Sequence, residues 1–261
     1  MGPQSVTGLT FRRLDILGCP VDHMSLTDCV SRLESAIIDK RQCHIVVINA
    51  AKLVKAQSDP DLCNVLWNAD LVGADGVPIV WASRLVGDPL PGRVNGTDLM
   101  EQLILLAAQK GYTIYFLGAR QSVLDSAIDY VQTVFPNLNI AGYRHGYFES
   151  MNDEEEAVRS INKADPDILL LGMSTPMKEN WVKRHKDDLN VRVIHGVGGS
   201  FDILGGVTHR APRWMQETGL EWLFRLILEP RRMWKRYCTT NTIFMILMGK
   251  LAWNRLFRKR R

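Results

Sequence analysis

Asp75 is the residue whose type and surroundings best fit general base catalysis. It lies in the segment ADLVGADGVPIV, at a tight Ala-Asp-Gly turn between two apolar runs. A carboxylate held at such a turn near a strand end can take a proton from a hydroxyl group, provided that the two lie within hydrogen-bond reach. Asp-Gly is also common in plain turns. On its own the segment leaves two interpretations open, a catalytic base and a structural turn.

Residues 93–98, with the sequence RVNGTD, have the makeup of an anion-binding helix start. Thr97 is predicted to be the N-cap, so that the free backbone amides of the first turn would face a phosphate while Arg93 adds positive charge. Asn95 and Asp98 stand on either side of this predicted cap. An ordinary capped helix with a surface arginine is the alternative interpretation.

Glycine turns follow several apolar runs and could bring backbone amides close to a diphosphate. FLGAR contains Gly118, LLLGM contains Gly172, and GVGGSFD contains Gly198 and Gly199. Small residues at a strand end permit such a close approach. The Walker sequence GK[ST] is missing, and no complete GxGxxG opens a helix. Each turn is a weak signal, but together they favour a nucleotide-like ligand.

Histidines and acidic residues do not form a metal-binding pattern in this sequence. His145 and His195 lie near predicted strand ends, but no HxH, HExxH or Cys/His pairing accompanies them. Asp187 and Asp188 are adjacent in a polar loop. We therefore predict that the site binds no metal and no cofactor, and that both histidines are structural.

A parallel sheet is predicted to position these turns. Four apolar runs are continuous rather than alternating, which is typical of strands buried on both faces. These runs are residues 44–50, 113–119, 167–173 and 191–198. Helical periodicity separates them, for example over residues 96–110 and 121–135. The pattern predicts an α/β, Rossmann-like fold: a mostly parallel sheet with helices on both faces. Ligands would bind beyond the carboxyl ends of the strands, where Asn49 also lies.

The length of 261 residues fits one large α/β domain, and no internal repeat or linker interrupts residues 1–220. We predict a core over residues 1–219 and an appendage over residues 220–261. The five cysteines lack CxxC spacing, so reduced thiols are expected, as in the cytoplasm.

The C-terminal appendage has an unusual charge. Residues 230–261 carry 10 basic and no acidic side chains, a net charge of +10, whereas residues 1–229 carry 22 basic and 28 acidic ones, a net charge of −6. An apolar helical stripe precedes them, made by Leu220, Leu223, Phe224, Ile227 and Leu228. Pro230 is predicted to end or kink that helix.

Nucleic-acid binding, a solvated face and contact with an anionic membrane could each explain the basic tail. Aromatic residues interleave with the cations: Trp214, Trp222, Trp234, Tyr237, Trp253 and Phe257. Amphipathic rings settle at headgroup depth while arginine and lysine meet anionic lipid, which favours the membrane. The apolar run at 243–249 is far shorter than the roughly 20 residues that span a bilayer. Peripheral membrane binding is therefore predicted.

The same segments, in order from about residue 15 to about residue 240, resemble the WecG/TagA/CpsF glycosyltransferases. They are VINAAKLV, ADLVGADGVPIV, RVNGTDLM, YFLGA, HGYF, DILLLGMSTPMKENW, GVGGSFDILGG and HRAPRWMQETGLEWLFRLILEPRRMWKRY. The combination is specific although each segment alone is not. The resemblance implies an α/β transferase with a Rossmann-like core, a metal-independent inverting mechanism, and an appendage that docks on the membrane and helps complete the site.

The resemblance also implies roles for individual residues. Asp75 would be the base, and Asn49 and Arg93 would line the donor pocket. Three cations of the appendage would meet the pyrophosphate of donor or acceptor: Arg225, Arg232 and Lys235. The further candidates for donor or acceptor binding are Asn95, Thr97, Asp98, Gly118, Gly172, Lys178, Gly198, Gly199 and Arg210. Positive charge at the phosphates would stabilise the leaving nucleotide diphosphate without a metal.

Two departures from the family pattern concern the sugar. The family often has Thr two residues before the Asn, where this chain has Val47, and Gln in the PxQE segment, where it has Lys178. Both positions would face the sugar or acceptor side of the cleft. An N-acetylmannosamine-type sugar and a hexose such as glucose are equally open.

The function predicted from these observations is transfer of a sugar from a UDP-sugar to a polyprenyl-pyrophosphate-linked saccharide in bacterial cell-surface or exopolysaccharide biosynthesis. The protein is expected to act at the cytoplasmic face of the inner membrane, as a peripheral membrane protein. A non-catalytic nucleotide-binding scaffold at the membrane is the alternative. Nucleic-acid binding is disfavoured, because the basic region is short and lacks a recognised motif. Homo-oligomers stay open, since the apolar stripe could also pack on a second subunit.

Overall fold

The structure is a computed structural model that describes residues 11–258, except for the side chains of residues 232, 235–236 and 254–258. The strands are β1 (Arg13–Ile16), β2 (Cys19–Asp22), β3 (Cys43–Ile48), β4 (Leu71–Ala74), β5 (Thr113–Gly118), β6 (Asn139–Arg144), β7 (Ile168–Gly172) and β8 (Val193–Gly196). The α-helices are α1 (Leu26–Ile38), α2 (Ala50–Ala56), α3 (Pro60–Trp67), α4 (Val77–Val86), α5 (Gly96–Lys110), α6 (Gln121–Val134), α7 (Met151–Ala164), α8 (Met177–His185), α9 (Ser200–Leu204), α10 (Arg213–Glu217), α11 (Glu221–Leu228) and α12 (Pro230–Arg258).

Six strands form one parallel sheet in the order β4-β3-β8-β7-β5-β6, and β1 and β2 form a separate antiparallel hairpin. Side chains alternate between the two faces of the sheet, as strand geometry requires. In β3, Ile45 packs with α1 and α5 on one face, and Val46 packs with α2 and α3 on the other. Both faces are therefore covered by helices, which confirms the predicted fold class.

The four predicted strands and both predicted helices are present, with shifts of at most a few residues at their ends. The cap predicted at Thr97 is wrong. Asn95 is the N-cap of α5, and its side-chain oxygen accepts hydrogen bonds from the backbone amides of Thr97 and Asp98. Its extended backbone and short carbonyl-bearing side chain suit a cap as well as threonine does. The β1–β2 hairpin and the half-exposed strand β6 were not predicted from the sequence, because neither is a continuous apolar run.

Two glycines allow β5 and β7 to pack closely at their ends. A Cβ atom on Gly118, whose φ is +141°, would lie 2.5 Å from the backbone of Gly172. A Cβ atom on Gly172 would lie 2.2 Å from the ring of Phe201. Any larger residue would collide with a neighbouring strand or with a buried ring. Close packing therefore requires glycine at both positions.

The C-terminal helices pack against the core. Phe244 of α12 is buried in the cluster that contains residues of β3 and β4, and Leu247 and Met248 pack beside it. Pro230 begins α12 directly after α11 ends, which confirms the predicted break. No helix in the described part of the chain combines the length and the apolar character needed to cross a membrane.

Candidate active site

Asp75 follows β4 at the carboxyl end of the sheet and lies at the bottom of an open cavity of about 620 Å³. Its backbone amide donates to the carbonyl of Ile48, at the end of β3, over 2.8 Å. This bond extends the β3–β4 ladder by one residue and fixes the position at which the side chain leaves the sheet. A cavity of this size is typical of a small-molecule site.

Two asparagines hold the Asp75 carboxylate through their side-chain amides. Asn95 Nδ2 donates to Asp75 Oδ1 at 2.8 Å, and Asn49 Nδ2 donates to Asp75 Oδ2 at 3.4 Å. Each asparagine also caps a helix with its oxygen: Asn49 accepts from the amide of Lys52 in α2, and Asn95 accepts from amides of α5. The caps fix the amide orientation, so that both NH₂ groups must point towards Asp75.

Three helices begin beside Asp75, and the caps of two of them contact its carboxylate. Asn49 caps α2, Gly76 precedes α4, and Asn95 caps α5. Helix N-termini carry partial positive charge and favour anions. This arrangement arises because β3 and β4, which are neighbours in the sheet, lead through short loops into α2 and α4. The chain then returns to the same edge of the sheet, where α5 begins.

The protonation of Asp75 is shifted towards the neutral acid. Burial raises the pKa of its carboxyl group, and the neighbouring carboxylate of Glu221 raises it further. Arg225, the amide of Asn49 and Lys52 act in the opposite direction without cancelling the effect. A carboxylate with a raised pKa is a stronger proton acceptor, which suits a general base.

Two lysines line the floor of the cavity next to β3 and β8, and they share a glutamate that lies beneath it. Lys52 Nζ contacts Glu179 Oε1 at 2.8 Å and donates to the carbonyl of Val47 at 2.7 Å. Lys178 Nζ contacts the same Glu179 oxygen at 3.2 Å and donates to Thr175 Oγ1 at 2.6 Å. All three charged side chains are buried. Burial would raise the pKa of Glu179, but the two ammonium groups outweigh it and hold that pKa below its ordinary value.

Nine of the candidate residues named from the sequence line the cavity. They are Asp75, Asn49, Asn95, Thr97, Lys178, Gly198, Gly199, Arg210 and Arg225. The lining also includes two further residues, the buried Val47 at a position where this chain departs from the family pattern, and Glu221 of α11. Residues that lie far apart in the sequence are thus brought together at one sheet edge.

Arg93, Asp98, Gly118 and Gly172 do not line the cavity. Arg93 donates to the backbone and side-chain oxygens of Gln216 and lies 3.4 Å from Asp98, so it connects the start of α5 to α10. Asp98 also pairs with Arg210. Gly118 and Gly172 serve the strand packing described above. The side chains of Arg232 and Lys235 lie outside the described residues.

The histidines singled out in the sequence lie apart from the cavity lining. His195 is fully buried in β8, and its Nε2 atom lies 3.0 Å from the carbonyl of Gly96. Burial lowers the pKa of His195 to about 4, so the ring is neutral at physiological pH. His145 Nδ1 accepts a hydrogen bond from the amide of Tyr147.

Asp-x-Asp spacing, a common metal-binding pattern of nucleotide-sugar transferases, occurs twice, at residues 59–61 and 165–167. Neither segment lines the cavity. Asp59 caps α3, and Asp167 accepts hydrogen bonds from Thr113. Within the described residues, no group of three or more His, Cys, Asp or Glu side chains is placed to hold a metal ion.

Lys52 and Glu221 were not singled out from the sequence. A lysine three residues after a strand-end asparagine has no distinctive pattern, since lysine is common on helix surfaces. Its burial depends on Glu179, more than 120 positions later in the chain. Glu221 lies at the start of α11, one turn before Arg225, and both line the cavity.

Comparison with known proteins identifies the family. The family model described as "Glycosyl transferase WecG/TagA/CpsF family" matches residues 14–261. The chain belongs to this family. The resemblance inferred from the sequence, and the glycosyltransferase class that it implied, are thereby confirmed for this WecG/TagA/CpsF glycosyltransferase.

Several relatives of this WecG/TagA/CpsF glycosyltransferase carry the name N-acetylglucosaminyldiphosphoundecaprenol N-acetyl-beta-D-mannosaminyltransferase. The one from Bacillus spizizenii is 34% identical over 212 residues, 81% of each chain. The one from Bacillus subtilis is 32% identical over 218 residues, 83% of this chain and 84% of the relative. The one from Staphylococcus aureus is 28% identical over 242 residues, 92% of each chain.

Proposed function

We propose that this protein transfers a sugar from a UDP-sugar to a saccharide on polyprenyl pyrophosphate, with inversion and without a metal ion. The names of its relatives specify a lipid-diphosphate acceptor and a transferred hexosamine. The single observation that carries the mechanism is the Asp75 carboxylate, held by two oriented amides at the bottom of a cavity lined by cations.

The proposed reaction is a single displacement. Asp75 takes the proton of an acceptor hydroxyl group, and that oxygen attacks the anomeric carbon of the donor. The bond between the anomeric carbon and the diphosphate oxygen breaks, and UDP leaves with the electron pair. Attack from the side opposite the leaving group inverts the configuration.

Charge that develops on the leaving diphosphate needs stabilisation in the transition state. Arg210 and Arg225 line the cavity, and so do residues of the first turns of α2 and α5. Arg225 is held by Glu221 at 3.0 Å, one turn earlier in α11. The appendage would therefore contribute a cation to the site, and fixed arginines and helix ends would replace a metal ion.

The transferred sugar can be either a hexose or an N-acetylhexosamine under this proposal. Val47 and Lys178, which depart from the family pattern, both line the cavity. A hydroxyl and an amide of the usual pattern are thus replaced here by an apolar group and an ammonium. Such a change alters the hydrogen bonds offered to the sugar, so the sugar named for the relatives cannot simply be assigned to this protein.

We further propose that residues 220–261 form an appendage that binds the cytoplasmic face of the inner membrane peripherally. Large apolar side chains of α11 and α12 are exposed: Ile227, Leu228, Trp234, Met245, Ile246 and Trp253. Trp234 and Met245 lie eleven positions apart, which is three helical turns, so they share a face of α12. Phe244, about 100° around the helix from Met245, is buried against the core.

The apolar face lies next to the cavity. Leu228 is exposed and also lines the cavity, and Met233 of α12 lines it as well. A lipid-linked acceptor could therefore stay in the membrane while its sugar reaches Asp75. At about 1 kcal/mol for each basic residue near an anionic surface, the ten cations of residues 230–261 would hold the protein there even if most act at reduced strength.

Transfer assays with purified protein test the proposal. UDP-, GDP- and dTDP-sugars would each be offered with a synthetic polyprenyl-pyrophosphate saccharide, in buffer containing EDTA. A glycosylated lipid of inverted configuration, formed from a UDP-sugar, is expected. Nucleotide binding without any product would instead support a non-catalytic membrane scaffold, and a requirement for a divalent cation would contradict the metal-independent mechanism.

A further inference from the structure

The two lysines on the cavity floor, Lys52 and Lys178, carry two positive charges but pair with a single carboxylate, that of Glu179. Lys52 and Lys178 share one oxygen of Glu179, and that oxygen also accepts from Thr175. The other carboxylate oxygen of Glu179 is buried without a hydrogen-bond partner. Two ammonium groups thus face a single carboxylate in a buried position, where an uncompensated charge is unfavourable.

Both lysines border the cavity in spite of this burial. Lys52 and Lys178 line the large cavity, whereas Glu179 lines only a small pocket beneath it. Each ammonium group has three protons and makes two contacts with oxygens in the structure. One donor of each lysine is therefore available to a group that enters the cavity.

Gly196 positions the Lys178 side chain. A Cβ atom on Gly196 would lie 2.7 Å from Lys178 Cδ and 2.9 Å from its Cε, so the lysine stem passes directly over the glycine backbone. Thr175 and Glu179 then hold the ammonium group from the other side. A long flexible side chain is thereby fixed in one direction, as a ligand-binding group requires.

We propose that Lys52 and Lys178 form an anion subsite for an anionic oxygen group of the nucleotide-sugar donor, either a diphosphate oxygen or a carboxylate on the sugar. This inference rests on the proposed function. Glu179 is a positioning residue that sets the separation of the two ammonium groups and leaves them a net charge of +1.

Asp75 links the subsite to the reaction. With Asp75 ionised, the two lysines and the two carboxylates sum to zero charge. When Asp75 takes the acceptor proton, the four groups carry +1. The net charge of these four side chains therefore becomes more positive in the same step in which the diphosphate leaves and gains negative charge.

Binding measurements with single variants test the subsite. Lys178→Met removes the charge and keeps an unbranched stem, and Glu179 stays paired with Lys52. Lys52→Met does the reverse. UDP, UDP-glucose and UDP-glucuronic acid would be titrated calorimetrically against each variant and the wild type. Loss of one charge-assisted hydrogen bond should weaken binding about ten- to a hundred-fold.

The ligand panel distinguishes the two sources of the anion. If the lysines bind the diphosphate, the loss of affinity is the same for all three ligands. If they bind a sugar carboxylate, only UDP-glucuronic acid is affected. Lys183→Met is the matched control, because Lys183 lies in the same helix and forms an exposed ion pair with Asp61. It should bind all three ligands as the wild type does.

Affinities of Lys178→Met and Lys52→Met that equal those of Lys183→Met for every ligand would overturn the subsite and leave the proposed function standing. A wild-type protein that binds none of the three nucleotides would overturn both. Gly196→Ala provides an independent check, since it displaces the lysine stem without changing charge. It should reduce the affinity for the same ligands as Lys178→Met, while thermal unfolding shows that the variant is folded.

Discussion

Replacing Asp75 with asparagine tests the proposed base most directly, because it removes the proton acceptor and keeps the shape of the side chain. The amide cannot serve as a base at neutral pH. General base catalysis contributes about 10²- to 10⁴-fold, so transfer should fall by at least a hundred-fold. Binding of UDP should change little, since Asp75 is assigned to the acceptor hydroxyl group.

The structure also sets the stability cost of this substitution. Asn49 and Asn95 are fixed by their helix caps and both point NH₂ groups at residue 75. An asparagine there has only one side-chain oxygen. It would keep the 2.8 Å contact with Asn95 and turn its own NH₂ towards that of Asn49, whose contact is 3.4 Å. Losing this longer contact should cost about 1 kcal/mol, and removing a carboxylate whose charge burial disfavours offsets part of that cost, so Tm should fall by no more than about 2–4 °C.

The assay combines three measurements on the same preparation: transfer to a radiolabelled lipid acceptor, calorimetric UDP binding and thermal unfolding. Asp61→Asn is the matched control, because Asp61 is exposed in α3 and pairs only with Lys183 among its described contacts. It should behave as the wild type in all three. Transfer by Asp75→Asn at a rate within ten-fold of the control, with the expected Tm, would refute the assignment of Asp75 as the base.

The remaining predictions concern pH, stability and membrane binding. The transfer rate should fall at acid pH with a midpoint above that of an ordinary aspartate, because burial raises the pKa of Asp75. Asn49→Ser should move that midpoint upwards in a pH-rate profile, since serine still caps α2 but cannot reach the carboxylate that the amide stabilises. Glu179→Gln should lower the free energy of unfolding in urea by about 3 kcal/mol, because it leaves two buried lysines without their carboxylate; equal unfolding midpoints would contradict this. Ile227→Ser with Trp234→Ser should reduce sedimentation with anionic vesicles and leave activity on a soluble acceptor analogue intact.

Much of the fold was determined by local sequence. Continuous apolar runs such as residues 167–173 are typical of strands buried on both faces, and the periodicity of residues 96–110 predicts α5 with its observed bounds. The break at Pro230 follows from the missing amide and fixed φ of proline. Such features depend on near neighbours in the chain, so they can be read without knowledge of the tertiary contacts.

The sequence also indicated which strand ends would carry the site, because parallel strands place their carboxyl ends on one edge. Asp75 and Asn49 were found in this way, and the family pattern supplied the roles proposed for them. The sequence could not show that the oxygens of both asparagines cap helices and thereby turn their NH₂ groups towards one carboxylate. It also could not separate glycines that line the cavity, such as Gly198, from those that only permit packing, such as Gly172.

Only the tertiary structure decided which charges meet. Arg93 does not line the cavity but binds Gln216, more than 120 positions away, and holds α10 to the start of α5, so its role at the donor stays a prediction. Lys52 of α2 and Lys178 of α8 share Glu179 because α2 follows β3 and α8 follows β7, two strands that flank β8 in the sheet although they are far apart in the chain. Electrostatic partners depend on distance in space, and that distance is set by strand order. The sequence by itself therefore determined the elements and the edge on which they end, and the fold determined the chemistry that this edge can perform.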